Sequence, residues 1–142
     1  MIKPESRDSC VFCRIVRGEI PASVVCQDEL TIAFMDIGSV NPGHVLVASR
    51  AHVENLYALE DNLAAALMLT ATRIARAAKV ALQPQGLSLF QANEAAGGQT
   101  VFHVHIHVLP RWQGDGMELL WPVKNPPRVE LEKIAARLRA AI

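Results

Sequence analysis

Three of the five histidines of this chain alternate with apolar residues: His103, His105 and His107. In a strand successive side chains point to opposite faces, so the three imidazoles would share one face and the intervening valine and isoleucine would lie on the other. Imidazole suits a base, a nucleophile or a metal ligand near neutral pH. The spacing therefore predicts a chemical site on a strand spanning Val101–Pro110. It leaves catalysis and metal binding both open, because His-x-His can also ligate one ion.

A loop containing Gly97 and Gly98 leads into this predicted strand. By itself, such a loop is most simply an ordinary hairpin connection. Next to three histidines, however, glycine allows close backbone approach, and the amides around Gln99 and Thr100 can point at an anion. The combination predicts a phosphate resting on the loop beside an attacking imidazole.

A second motif with chemical potential is the Cys-x-x-Cys pair formed by Cys10 and Cys13. Two thiolates at this spacing commonly bind zinc, but a structural site needs four protein ligands. The two missing ligands would be histidines, and the candidates are His44, His52 and one histidine of the triad. A redox pair is the rival interpretation, although no predicted strand precedes Cys10, and unliganded thiols remain a third.

Composition bounds the function classes. The 142 residues, 51% hydrophobic and 20% charged, suit one globular domain spanning residues 1–142. Basic and acidic residues number 14 each, and this zero net charge argues against a broad nucleic-acid surface. Met1–Asp8 lacks the apolar core of a signal peptide, and no stretch approaches the roughly 20 apolar residues that span a bilayer. Three cysteines suggest no disulfide framework, so we expect a reducing, cytoplasmic location without membrane partners.

The elements that position these motifs alternate between strand and helix patterns. Apolar residues at helical spacing, ended by Pro84 and Gly86, predict one long helix over about Asp61–Leu82. The other predicted elements are a short helical turn in Cys10–Arg17, strands at Val24–Cys26, Leu30–Met35, Val45–Ala48 and Leu87–Gln91, the histidine strand, and a last helix over Val129–Ala141. This order favours an α+β fold with a largely antiparallel sheet of about five strands.

The histidine run 103–109 reads His, apolar, His, apolar, His, apolar, apolar, and it resembles the signature of the histidine triad (HIT) family of nucleotide hydrolases and transferases. Further fragments follow in that family's order: Cys10–Ile15, Gly18–Pro21, Ala33–Ile37, Pro42–His44 and Gly97–His103. The chain is most similar to the small branch that hydrolyses adenosine and guanosine phosphoramidates, and within it to bacterial zinc-containing members. The resemblance implies a HIT-like fold.

The resemblance also implies roles for matching residues. His105 would be the nucleophile that attacks the α-phosphorus and forms a nucleotidyl-histidine intermediate, which water then hydrolyses. His107 would contact the phosphate, and His44 would lie in the same histidine cluster. The remaining implied substrate contacts are Asp36 on the ribose hydroxyls, Phe34 and Ile37 around the nucleoside, and Asn93, Gly98, Gln99 and Thr100 around the phosphate and leaving group.

In the zinc-bearing members that the chain resembles, two cysteines, the histidine after the strand and the first triad histidine hold the ion. The matching positions are Cys10, Cys13, His52 and His103. Zinc there would fix one end of the histidine strand without occupying the nucleophile, so we expect a structural ion. Related proteins pair two subunits, which implies a homodimer.

Two departures from the family pattern bear on function. Thr100 stands where a serine near the leaving group is usual, and Arg50-Ala51-His52 replaces a common Lys-x-His. Thr100 keeps the hydroxyl of serine, and the Arg50–His52 segment keeps the positive charge and the histidine ligand. The favoured activity is hydrolysis of purine nucleoside 5′-phosphoramidates. Hydrolysis of diadenosine polyphosphates stays open because that branch also ends its signature in Leu-Pro-Arg, as residues 109–111 do. A nucleotide-binding scaffold with incidental activity is the alternative from another class.

Overall fold

The computed structural model describes residues 7–118 and 121–142. Six of the eight residues on which the expected absence of a signal peptide rests, 1–6, lie outside the described residues. The described elements are α1 (Val11–Val16), β1 (Val24–Gln27), β2 (Thr31–Met35), β3 (Val45–Ser49), α2 (Asp61–Leu82), β4 (Gly86–Phe90), β5 (His105–Arg111) and α3 (Arg128–Arg139), with short 3-10 turns at Leu56–Ala58 and Ala95–Gly97. Among the described residues, none of the helices is both long and apolar enough to cross a bilayer.

Five strands form one antiparallel sheet in the order β1-β2-β3-β5-β4. The α+β prediction is confirmed. The strand β5, which carries two of the triad histidines, lies between β3 and β4, and His107 pairs with Leu46 on one side and Phe90 on the other. A strand hydrogen-bonded on both edges is a rigid support for a site.

The two faces of the sheet bury different layers. On one face, the apolar residues that alternate with the histidines pack against Leu67 and Ile74 of α2. On the other, Phe12 of α1 packs with Phe34 and Leu46. The alternation read from the sequence therefore assigns the faces correctly, and the histidines point towards the α1 layer.

The predicted strand over Val101–Pro110 is wrong at its start, because β5 begins at His105. Before that residue, the chain pairs with the segment after β3: the Val104 amide donates to the Val53 carbonyl at 2.7 Å. The buried Gln99 side chain also donates to the Glu54 carbonyl at 2.7 Å. These bonds bend the segment away from the sheet while keeping its side-chain alternation.

The loop between β2 and β3 carries Asp36 at its start and His44 at its end. A hydrogen bond from the Asp36 amide to the His44 carbonyl closes it at 3.0 Å. Gly43 has φ +84°, and a Cβ there would clash with Leu82 Cδ1 at the end of α2. Glycine adopts this left-handed conformation without strain and leaves the Leu82 side chain in place.

Candidate active site and metal-binding group

Four side chains from three segments converge beneath the sheet. Cys10 precedes α1, Cys13 lies within it, His52 follows β3, and His103 precedes β5. His103 Nδ1 lies 3.4 Å from Cys10 Sγ and 3.5 Å from Cys13 Sγ, while His52 Nδ1 lies 3.2 Å from Cys13 Sγ. One ligand atom from each residue falls within 4.8 Å of all the others.

The geometry of this group fits zinc. Tetrahedral zinc with bonds of about 2.3 Å to sulfur and about 2.0–2.1 Å to nitrogen separates the two ligand types by roughly 3.6 Å. His103 is also prepared as a ligand, because its Nε2–H donates to the Ser49 carbonyl at 2.6 Å and thereby leaves the lone pair on Nδ1. Burial lowers the pKa of His103 to about 4 and raises that of Cys13 to about 11, so the ring is neutral and a cation would be needed to hold Cys13 as a thiolate.

His105 is oriented by the backbone of its own strand. Its Nδ1–H donates to the His103 carbonyl at 2.6 Å, which leaves the lone pair on Nε2. The ring is nearly buried, and Phe12 contacts it edge-on with the ring centroids 5.0 Å apart. Burial lowers the pKa of His105, so the imidazole is neutral at pH 7. A neutral ring with a fixed tautomer is the form that can attack an electrophile.

A chain of hydrogen bonds determines the proton positions on the next two histidines. The Val40 amide donates to His44 Nδ1 at 3.2 Å, so the proton of the neutral His44 ring is on Nε2. That nitrogen lies 2.9 Å from His107 Nδ1 and 3.4 Å from Asp36 Oδ2. With Nδ1 of His107 accepting, its own proton is on Nε2, where it can be donated to a bound group.

Asp36, His44 and His107 are also close enough together to be considered as metal ligands. The Val40 amide argues against that use, because it requires a lone pair on Nδ1 and therefore a proton on the very nitrogen that would bind the ion. Burial lowers the pKa of both histidines, that of His107 to about 4. The three groups are better suited to hydrogen bonding.

The two triad histidines of β5 line the end of a cavity of about 270 Å³. Its walls are apolar, and its polar groups are Asp36, Thr100, His105 and His107. The apolar lining residues are Val11, Phe12, Ile15, Ile20, Pro21, Ala22, Phe34, Met35, Ile37, Leu46 and Val101. An apolar pocket with a few convergent polar groups at one end is typical of a small-molecule site.

Most predicted substrate residues meet at this cavity. Phe34 forms part of its buried wall, and Ile37 is fully exposed where it lines the cavity. Asp36 lies at the polar end beside His107, with Oδ2 3.9 Å from His107 Nδ1, and Thr100 lines the same cavity. His44 does not line the cavity but contacts His107, which does.

Three predicted residues, Asn93, Gly98 and Gln99, do not line the cavity. Asn93 Oδ1 accepts from the Leu56 amide at 2.7 Å, and Gln99 Oε1 accepts from the Glu94 amide at 2.8 Å. Both side chains shape the loop that presents Thr100. Their contact with a phosphate stays a prediction.

The sequence motifs did not identify two features of the site. Phe12 lies between the two cysteines in sequence and joins the sites, since its ring contacts His103 at 5.7 Å and His105 at 5.0 Å between centroids. An apolar residue inside the Cys-x-x-Cys spacing was the signal. The backbone groups of Val40 and Ser49 fix ring tautomers, and no side-chain pattern could reveal them.

Comparison with known proteins gives the family. The model of the HIT domain matches residues 17–114. "Protein hit" of Bacillus subtilis is 41% identical over 115 residues, 80% of this chain and 79% of that protein. The adenosine 5'-monophosphoramidase hnt1 of Schizosaccharomyces pombe is 31% identical, over 80% of this chain and 84% of its own length. The adenylylsulfatase HINT3 of Arabidopsis thaliana is 30% identical, over 96% and 68%.

Solved structures agree with this. A HIT family protein from Bacillus anthracis superposes with a TM-score of 0.91 at 34% identity, covering 95% of this chain and 98% of that one. A zinc-bound histidine triad family protein from Mycobacterium smegmatis reaches a TM-score of 0.74 at 35% identity, covering 96% and 100%. By sequence and by fold, this chain belongs to the HIT family, which includes nucleotide hydrolases.

Proposed function

We propose that the protein hydrolyses purine nucleoside 5′-phosphoramidates, releasing the nucleoside monophosphate through a covalent intermediate on His105. The observation that carries this is the orientation of His105, which lines the cavity and whose Nδ1–H is bound to a backbone carbonyl, so that the lone pair is on Nε2. The adenosine 5'-monophosphoramidase of fission yeast, a relative at 31% identity, adds support.

In the first step, His105 Nε2 attacks the α-phosphorus, the P–Nε2 bond forms, and the bond to the leaving nitrogen breaks. The departing amine must gain a proton, and the Nε2–H of His107 is the donor that the hydrogen-bond chain from Val40 and His44 provides. In the second step, water attacks the same phosphorus and gives one proton back to His107 Nε2, and the P–Nε2 bond breaks, so that both histidines return to their starting forms.

The cavity suits such a substrate in size and polarity. A purine would lie against the apolar wall that includes Phe34 and Ile37, and the Asp36 carboxylate would accept hydrogen bonds from ribose hydroxyls. The Thr100 hydroxyl and the loop amides next to it would donate to the non-bridging phosphate oxygens as charge develops there.

We further propose that Cys10, Cys13, His52 and His103 hold a structural zinc ion. When bound, zinc would supply the cross-link that ties α1 to the start of β5. Fixing α1 would also fix the position of His105, because α1 carries Phe12, whose ring packs on His105. His103 faces the cysteines through Nδ1 while His105 Nδ1 binds a carbonyl, so the two rings are not arranged to share one ion.

Diadenosine polyphosphates are the second substrate class to test. The sequence feature that kept this class open is the Leu-Pro-Arg ending, yet Arg111 does not line the cavity. Its guanidinium instead binds Asp115 and the Met117 carbonyl. The position of Arg111 gives no support to a polyphosphate, and we propose an amine as the leaving group.

The test is adenosine monophosphate release from an adenosine 5′-phosphoramidate, with diadenosine tetraphosphate assayed in parallel and the acid-quenched protein weighed by mass spectrometry. We expect turnover of the phosphoramidate and a nucleotidyl adduct that is missing in His105→Ala. Preference for the dinucleotide would assign the protein to the polyphosphate hydrolases. Absence of turnover with either, despite nucleotide binding, would favour a binding protein.

We also propose that the protein acts as a homodimer. None of the residues of α3 is buried, although Leu131, Ile134 and Leu138 recur on it at helical spacing and are each more than half exposed. An isolated helix of 12 residues is marginally stable in water, so such a stripe needs a partner surface. Light scattering at micromolar concentration should give twice the chain mass, and a monomeric mass would contradict the proposal.

A further inference from the structure

Asn41 occupies an unusual position in the loop that carries Asp36 and His44. It is a polar side chain only 7% exposed, in a loop whose neighbouring residues are mostly exposed. Its Nδ2 donates to the Pro110 carbonyl at 2.9 Å and to Asp115 Oδ2 at 2.8 Å. Its own carbonyl accepts from the His44 amide at 3.2 Å. One residue thus connects the loop to the far end of β5 and to the turn that follows.

The anchor on the other side is Asp115, a carboxylate that accepts from several donors at once. Arg111 binds it through Nε at 2.6 Å and through Nη2 at 3.1 Å, and the Trp112 and Met117 amides donate at 3.3 and 3.0 Å. The Arg111 guanidinium and these amides hold the pKa of Asp115 well below its ordinary value. The anchor therefore stays negatively charged at any pH at which the protein would work, and it remains an acceptor for Asn41.

One end of the anchored loop lines the cavity for the proposed substrate, and the other end contacts His107, which also lines it. Asp36 begins the loop at the polar end of the cavity, and its Oδ1 accepts from the Gly38 amide at 2.8 Å. His44 ends it with Nε2 2.9 Å from His107 Nδ1. A shift of the loop by a fraction of an ångström would change both contacts, because hydrogen bonds weaken steeply with distance and angle.

We propose that Asn41 is a positioning residue which, held by Asp115, sets the place of Asp36 and His44 and so determines the preference for a ribose over a 2′-deoxyribose substrate. This rests on the proposed function, in which Asp36 accepts hydrogen bonds from the ribose hydroxyls. Asn41 does not line the cavity and acts only through these two residues. Without its amide, the Pro110 carbonyl loses a buried donor and the loop loses its link to the turn.

The experiment compares Asn41→Ala with wild type and with Gln113→Ala, a control in the exposed turn after β5 whose side chain does not line the cavity. Substrates are adenosine and 2′-deoxyadenosine 5′-phosphoramidates. For Asn41→Ala we expect KM for the ribonucleotide to rise about tenfold and KM for the deoxynucleotide less than threefold, so that discrimination falls. Simple loss of folded enzyme lowers both rates equally. An unchanged ratio in the folded variant would overturn the proposal.

Asp115→Ala tests the anchor. If Asp115 acts through Asn41, the double variant should discriminate no worse than Asn41→Ala alone, and additive losses would contradict the coupling. A readout that needs no turnover is the nitrogen NMR spectrum of the imidazoles, in which His44 and His107 should shift in Asn41→Ala while His103 should not. If the protein hydrolyses neither nucleotide, the proposed function fails, and these spectra still decide whether Asn41 positions the histidines: unshifted His44 and His107 signals refute it.

Discussion

Two clusters of side chains each include histidines from the segment 103–107. They differ in where the lone pairs of those histidines point. In the enclosed cluster, which consists of Cys10, Cys13, His52 and His103, the ligand atoms face each other and are largely buried. In the open cluster of Asp36, His44, His105 and His107, all but His44 line a cavity of about 270 Å³, and His44 contacts His107 behind it. Backbone carbonyls orient the key ring in both, at 2.6 Å from His103 Nε2 and 2.6 Å from His105 Nδ1.

What separates the two clusters is which ring nitrogen the carbonyl takes. Ser49 binds Nε2 of His103 and leaves Nδ1 for the thiols, whereas the His103 carbonyl binds Nδ1 of His105 and leaves Nε2 for the cavity. The same residue type, two positions apart, is therefore prepared as a ligand in one case and as a nucleophile in the other. Phe12 packs on both rings and couples the two clusters mechanically.

The largest expected effect follows the removal of one imidazole, that of His105, from the open cluster. His105→Ala should lower kcat/KM for the phosphoramidate by about 10⁴-fold or more, because no other group can form the covalent bond. The melting temperature should change far less than on removal of a metal ligand. Residual activity above about 1% of wild type, with no contaminating enzyme, would reject His105 as the nucleophile.

Substitution of a ligand in the enclosed cluster should lower the free energy of unfolding and the zinc content of the protein. Cys10→Ser should lose zinc and about 3 kcal/mol of unfolding free energy, since a serine hydroxyl does not replace a thiolate ligand. Elemental analysis and thermal unfolding measure the two effects. Cys26→Ser is the matched control, because Cys26 is a half-buried thiol outside the cluster. A zinc-free wild type as stable as Cys10→Ser would show that the thiols bind no structural ion.

The pH profile tests whether the open cluster works with neutral rings. Burial lowers the pKa of His105, and it lowers that of His107 to about 4, so both are uncharged at neutral pH and gain a proton only in acid. We expect kcat/KM to be constant around neutral pH and to fall about tenfold per pH unit once the nucleophile is protonated, with the midpoint below the ordinary histidine value. An acid limb with its midpoint near 6.5, the ordinary value for histidine, would contradict the effect of burial.

The smallest effect concerns Thr100, which lines the cavity. Thr100→Val removes the hydroxyl at nearly constant volume and should lower kcat/KM about tenfold, the equivalent of one hydrogen bond to the phosphate. Thr100→Ser keeps the hydroxyl and should change it less than threefold. Equal effects of the two substitutions would show that the methyl group, not the hydroxyl, matters there.

Much of the fold was predictable from sequence, for identifiable reasons. The helix Asp61–Leu82 was placed at its observed bounds, because apolar spacing defines its buried face and Pro84 and Gly86 follow its end. The alternation around the histidines assigned both faces of β5. The start of that strand was missed, since it depends on a hydrogen bond between Val104 and Val53 that no local pattern encodes.

The candidate site was also predictable from the sequence only in part. Residue types and spacing alone pointed to a histidine site, a Cys-x-x-Cys metal group and a phosphate-binding loop, because these chemistries need particular side chains. The family resemblance implied that His103 joins the cysteines and that His105 and His107 serve the substrate, but only the tertiary structure decided which ring nitrogen each one presents and that Arg111 is occupied by Asp115. The reason is physical: the partners that fix a ring's orientation are backbone carbonyls and amides, which every residue has and only the fold brings into contact.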